Sequence, residues 1–157
     1  MEFRTESRIA IAGSVADVWA YLCDVGRWRE WAPTVLEARI RGGAPFQVGA
    51  RIDQRAKGIL GSSRRRSQEV TAVDAPRSMA FAGPLGTSAA RWGMELQPID
   101  DEQTDAEMWI EVDLKGVMRA IPSGLLKRRI QRVSDWEMVA IKAAVESATP
   151  ARLRSAQ

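Results

Sequence analysis

The sequence predicts an α+β fold: a seven-stranded curved antiparallel sheet around one long C-terminal helix, with two short helices after the first strand. Three observations predict it. Residues 2–11 and several stretches between 36 and 114 alternate apolar with polar side chains, the period-two pattern of strands with one wet face. The breaks between those stretches are short turn clusters, which join neighbouring strands antiparallel. From about Ser123 to about Ser147 the apolar spacing changes to that of an amphipathic helix. A chain of 157 residues, 45% hydrophobic and 27% charged, suits one domain with one core, assigned to residues 1–148 with 149–157 as a frayed tail.

Each element has a local cause. In the first strand Glu2, Arg4, Glu6 and Arg8 alternate with Phe3, Thr5, Ser7, Ile9 and Ile11, and Gly13-Ser14 stops it. Ser14 followed by Asp17 has the form of a capping box, and Val15, Val18, Trp19 and Leu22 follow at helical spacing until about Asp24. A second short helix spans Gly26 to Trp31, because Pro33 turns Ala32 away from helical angles. Then Leu36, Ala38 and Ile40, and Ala50, Ile52, Gln54 and Ala56, form the apolar faces of a hairpin around a Gly-Gly-Ala-Pro turn. Segments 64–73, 78–83, 88–97 and 104–114 complete the meander, with Ala90, Trp92, Met94 and Leu96 on one face beside Ala106, Met108, Ile110, Val112 and Leu114. In the terminal helix Leu126, Ile130, Val133, Ala140, Ile141 and Ala144 share a stripe, which should leave Arg128 and Arg132 in water. One long amphipathic helix laid across a curved sheet covers an apolar face too large for loops, a helix-grip arrangement.

Composition narrows the chemistry. The chain has no histidine, which removes serine–histidine and cysteine–histidine nucleophile pairs, imidazole acid–base work and nearly every ordinary zinc or non-haem iron site. Cys23 is the single cysteine, so neither a disulfide nor a thiolate metal site can form, and it reads as a small buried apolar residue. Glycine-rich phosphate loops and the GxSxG elbow are absent. No metal or other cofactor is expected. The opening MEFRTESRIAIAGS has no apolar run of the kind that a signal peptide or a membrane span needs, and a cytoplasmic protein is expected. Net charge is +3, and all 23 basic residues except Lys57, Lys115, Lys127 and Lys142 are arginine. The clusters Arg64-Arg65-Arg66 and Lys127-Arg128-Arg129 with Arg132 read as solvated faces, so no nucleic-acid partner is expected.

The segments VWAYLCDVGRWREWAPTVLEARIRGG, FQVGARI, VTAVDAPRSMAF and RWGMELQPID, in this order and spacing, resemble the polyketide cyclase/dehydrase-like branch of the START-like (SRPBCC) superfamily. The resemblance covers roughly positions 3 to 147. It implies a deep cavity between sheet and long helix, used across the superfamily for sterols, lipids, plant hormones and polyketides. Members include enzymes, carriers and sensors, so the fold does not choose among them. The chain departs from the iron-dependent oxygenase members, and from cyclase-like members with a histidine near substrate, by having no histidine at all.

Three functions follow as alternatives. The first is a module that binds or carries a small hydrophobic or amphipathic ligand. Its apolar walls would be Leu36, Ile52, Trp92, Met94, Met108, Ile110, Leu126 and Ile130. Trp28 and Trp31 would form a lid at the mouth, unless they are core residues clamping the short helices, and Gln54 and Gln68 would orient the ligand. The second is a cyclase or dehydratase in which a buried carboxylate removes a proton beside a carbonyl while Arg or Gln steadies the enolate. Glu137 is its candidate, since helical spacing sets it near the centre of the apolar stripe, where a structural pair with Arg66 or Gln68, or a helix register that lets the side chain escape past the sheet edge, is the plainer explanation. The third is a protein-interaction subunit with a vestigial cavity. Trp109 points away from Met108, and exposed there it would mark a contact in a homodimer.

Overall fold

A computed structural model describes residues 2–57 and 62–155. Met1 and residues 58–61 of the expected domain, and residues 156–157 of the expected tail, lie outside the described residues. The elements are β1 (Phe3–Ile11), α1 (Val15–Cys23), a 3₁₀ helix (Val25–Glu30), β2 (Val35–Ile40), β3 (Arg51–Lys57), β4 (Ser63–Asp74), β5 (Ser78–Leu85), β6 (Ser88–Asp100), β7 (Gln103–Asp113) and α2 (Ser123–Ser155). Short 3₁₀ turns occupy Arg41–Gly43 and Gly116–Ala120. The seven strands form one sheet in the order β1-β7-β6-β5-β4-β3-β2, every pairing antiparallel. Each of β2 to β6 pairs with the strand that follows it in the chain. The two helices after β1 carry the chain to the opposite edge, so β1 closes on the last strand instead.

Local chemistry places the ends of these elements. The Ser14 hydroxyl accepts from the Asp17 backbone N–H at 3.1 Å, satisfying a donor at the start of α1. The Trp28 indole donates to the Leu22 carbonyl at 2.8 Å, which ties the 3₁₀ helix to the last turn of α1. Along β1 the helix α2 runs parallel to the strand: Gln131 donates to the Glu6 carbonyl, the Ser7 hydroxyl to the Asp135 carboxylate, and Lys142 to the Ala10 carbonyl. Thus α2 packs its backbone closest to one edge of the sheet, and side chains alone span from it to the middle strands.

Two apolar clusters fill the concave side. The larger joins Ile11, Val18, Leu22, Trp28, Trp31, Ile52, Phe81, Met94, Met108, Met138 and Ile141 under α1 and the C-terminal part of α2. The smaller gathers Phe3, Val112 and Leu114 with half-buried Leu85, Ile110, Met118, Leu126 and Ile130 near the start of α2. Ile110 touches both.

Several expectations need correction. Leu36 does not continue the inward face of β2: a bulge between Val35 and Glu37 takes it out of the alternation, Val35 and Ala38 point inward, and Leu36 belongs to neither cluster. Trp109 lies on the convex face as expected but is only 9% exposed. Cross-strand Gly93 leaves a trough in which the indole lies, and the Arg4 guanidinium covers it 5.0 Å from the ring centroid. That removes the ground for a dimer contact there. The helix extends past Ser147 to Ser155, into the expected tail, where Ala151, Arg152, Leu153 and Arg154 are strong helix formers that outweigh Pro150. Finally, the buried face of α2 is Ser134, Met138, Ile141 and Val145, so Ile130, Val133 and Glu137 sit on its flank. Buried Ser134 hid that rotation, because a serine reads as polar in a periodicity. Arg128 and Arg132 are exposed, as the helix pattern requires.

Candidate functional site

Among the residues expected to line a ligand, the sheet separates two kinds. Trp28, Trp31, Ile52, Met94 and Met108 are buried to 3% exposure or less and belong to the closed core. Trp92, Ile110, Leu126, Ile130 and Glu137 face the concave space but remain half-buried. These five keep partial contact with solvent where the first group keeps almost none.

The tryptophan pair does not form a rim. Trp28 and Trp31 pack at 5.8 Å, and Trp28 meets Phe81 and Trp92 edge-on at 5.4 and 5.5 Å. Phe81 stacks on Trp92 at 4.2 Å, with planes 17° apart. Such contacts clamp the 3₁₀ helix onto β5 and β6, so the pair acts as core and floor. Pro33 ends that helix with both indoles turned toward the sheet. One detail is unusual: the Trp31 Nε1–H is buried without an acceptor among the described residues.

A polar chain crosses the sheet beside this aromatic floor. The Trp92 indole donates to Gln68 Oε1 at 2.6 Å. Gln68 Nε2 approaches Gln54 Oε1 at 3.4 Å, and Arg66 Nε donates to the same oxygen at 2.7 Å. Strand register builds the chain: Gln54 lies opposite Arg66, Ile52 opposite Gln68, and Phe81 opposite Trp92, all on inward positions. Gln68 leans over Gly83, where a Cβ would come within 2.9 Å of its side chain, so the glycine leaves the room it uses. Gln54 and Gln68 are buried and Arg66 is half-buried.

Glu137 faces this chain from α2. Burial pushes its carboxyl up to about 8, and attraction to Arg66 only partly opposes that. Burial lowers the Arg66 guanidinium, with Glu137 acting the other way. No hydrogen bond or ion pair joins the two among the described residues, so they are not the closed structural pair expected for Glu137. Near pH 7 the carboxyl is mostly protonated and able to donate a hydrogen bond, while Arg66 keeps its charge. The pair can therefore bind an oxygen from both sides, or move a proton. Periodicity pointed to Glu137, Gln54 and Gln68, and Arg66 shares their inward alternation. Phe81 was missed as the stacking partner because nothing in a strand pattern reports cross-strand ring contacts.

Among the described residues no group of three or more His, Cys, Asp or Glu is placed to hold an ion. Cys23 is half-buried, and burial pushes its thiol up to about 11, so it stays protonated and packs as an apolar residue. No helix among the described residues is long and apolar enough to cross a membrane.

Comparison with solved structures places the fold. A START superfamily protein from Mycobacterium smegmatis superposes with a TM-score of 0.75 over 92% of this chain and 98% of its own, at 14% identity. A conserved protein from Geobacillus kaustophilus gives 0.74 over 93% and 97%, at 18% identity. The di-domain ARO/CYC BexL from the BE-7585A biosynthetic pathway gives 0.76 over 94% of this chain at 16% identity, and this chain spans 47% of that protein. No curated protein matches the sequence. Residues 2–146 match the family described as polyketide cyclase / dehydrase and lipid transport, and with the helix-grip sheet that carries it, the chain belongs to that family.

Proposed function

We propose that the protein binds a small amphipathic molecule, with an apolar body and an oxygen-bearing polar end, in the space between the sheet and α2. The observation that carries this reading is the polar chain Trp92–Gln68–Gln54–Arg66 with Glu137 across from it, set between two apolar clusters. Buried polar groups normally satisfy one another. Here Arg66 and Glu137 stand apart, an arrangement that a ligand oxygen would complete. Leu126, Ile130 and Ile110 offer the apolar side. Native mass spectrometry of freshly purified protein should show a co-purified small molecule. Titration with a long-chain fatty acid should give binding that weakens in Arg66→Met and Glu137→Gln without loss of fold. Binding that is absent, or indifferent to both changes, overturns the reading.

One observation supports a second reading. A carboxyl raised to about 8 is poised to take and return a proton near neutral pH. Glu137 could remove a proton from the carbon beside a ligand carbonyl while the Arg66 guanidinium holds the enolate oxygen, the chemistry of a cyclase or dehydratase. Glu137→Gln that keeps binding but abolishes turnover would select this reading over a carrier.

A further inference from the structure

The outer face of α2 carries a feature that ligand binding does not use. Advancing about 100° per residue, Leu125, Arg128, Arg129, Arg132, Trp136 and Val139 fall within an arc of about 100°, nearly opposite the buried Ser134, Met138, Ile141 and Val145. All six are exposed, with Leu125 at 63%, Trp136 at 54% and Val139 at 57%. None of the three arginines takes part in an ion pair among the described residues. From Lys115 to Ser134 there is no Asp or Glu, while Lys115, Arg119 and Lys127 add to the positive charge. The first acid, Asp135, lies beyond the edge of the arc and is held by Ser7 and Gln131 on the β1 side. Just before the helix, Val117 and Ile121 are exposed as well.

We propose that this basic, aromatic face of α2 docks the protein on an anionic lipid bilayer. The occupant follows from the mixture of side chains. Arginines supply attraction to anionic headgroups, and their stems, with Leu125, Trp136 and Val139, supply apolar surface for the boundary between headgroups and acyl chains. An indole with its N–H is suited to that boundary. A nucleic-acid backbone would use the arginines and leave the Leu, Trp and Val wet. A second copy meeting the same face would set arginines against arginines. Docking in this way lays against the bilayer the helix whose inner flank presents Leu126 and Ile130 to the ligand space.

The test is sedimentation with vesicles of phosphatidylcholine alone or mixed with phosphatidylglycerol. The expected result is binding to the mixed vesicles only, a blue shift of tryptophan emission that Trp136→Phe largely removes, and release at an ionic strength of about 1 M, where charges are screened within about 3 Å. Arg129→Gln/Arg132→Gln should bind about thirtyfold more weakly, at about 1 kcal/mol per basic residue near the surface. Its melting temperature should match that of the parent, since both side chains are exposed. Failure to bind the mixed vesicles, equal binding to both kinds, or undiminished binding by the double variant overturns the proposal. So does self-association that Trp136→Ala abolishes, which would give the face to a second copy.

Discussion

Glu137 on α2 and Arg66 on β4 attract one another across the concave space of the sheet without touching. Helix α2 packs on β1, and the flank that carries Glu137 stands off from the middle strands. The separation leaves a neutral acid facing a cation in a partly dry place, which is a source of pH sensitivity.

The pH dependence has a definite sign. The Glu137 carboxyl has an ordinary value of 4.5 and is raised to about 8 in the folded protein. The folded state therefore holds a proton that the unfolded chain releases, so this group's contribution to stability is complete below about pH 4.5 and is lost as pH rises through about 8. Thermal melts of the parent should fall between those limits, while Glu137→Gln should flatten that part of the profile. Above pH 8 the variant should be the more stable, by something on the order of 5 kcal/mol. Identical pH profiles for the two proteins would count against the burial of this carboxyl.

Arg66→Met offers an independent check on the same pair. Removing the guanidinium takes away the attraction that opposes burial, so Glu137 should titrate above about 8, and the loss of stability, still beginning near pH 4.5, should grow and extend to higher pH. A loss that ends at the same pH and has the same size as in the parent would mean that the two groups do not interact.

Trp31 supplies a prediction in which stability and binding separate. At 3% exposure, with its ring 5.8 Å from Trp28 and 6.4 Å from Trp92, it is a core residue. Trp31→Ala should lower stability by about 3–5 kcal/mol, as truncation of a buried aromatic does. A variant that melts normally but fails to bind fatty acid would restore the lid reading of this residue.

Strand periodicity made most of the sheet legible, because inward residues such as Ile52, Gln54, Met94 and Met108 obey a period of two with no help from tertiary contacts. The missed features all depend on something outside the local pattern. The bulge at Leu36 is a register change that only the partner strand β3 reveals. Trp109 looked exposed because alternation sends it to the convex face, and only the pairing with Gly93 and the cover of Arg4 bury it. The seating of α2 was misjudged through Ser134, a polar residue that is 1% exposed. The site followed the same division: Glu137 and the glutamines could be picked out by position, whereas the gap between Glu137 and Arg66 is set by how the helix lies on β1.

Gly93 is the position where the convex face is least tolerant. A Cβ there would lie 2.6 Å from the Met79 carbonyl oxygen and 2.6 Å from Cζ2 of Trp109. The indole can move, but the carbonyl belongs to the paired strand β5 and cannot, so Gly93→Ala must distort the β5–β6 ladder as well as displace Trp109. The expected loss is about 1–3 kcal/mol, toward the upper end because backbone is involved. Adding Trp109→Ala separates the two contributions. The double variant should recover only the part due to the ring, and melting of Gly93→Ala, Trp109→Ala and the pair gives the coupling directly. A Gly93→Ala protein as stable as the parent would show that the trough under Trp109 is wider than the strand register allows.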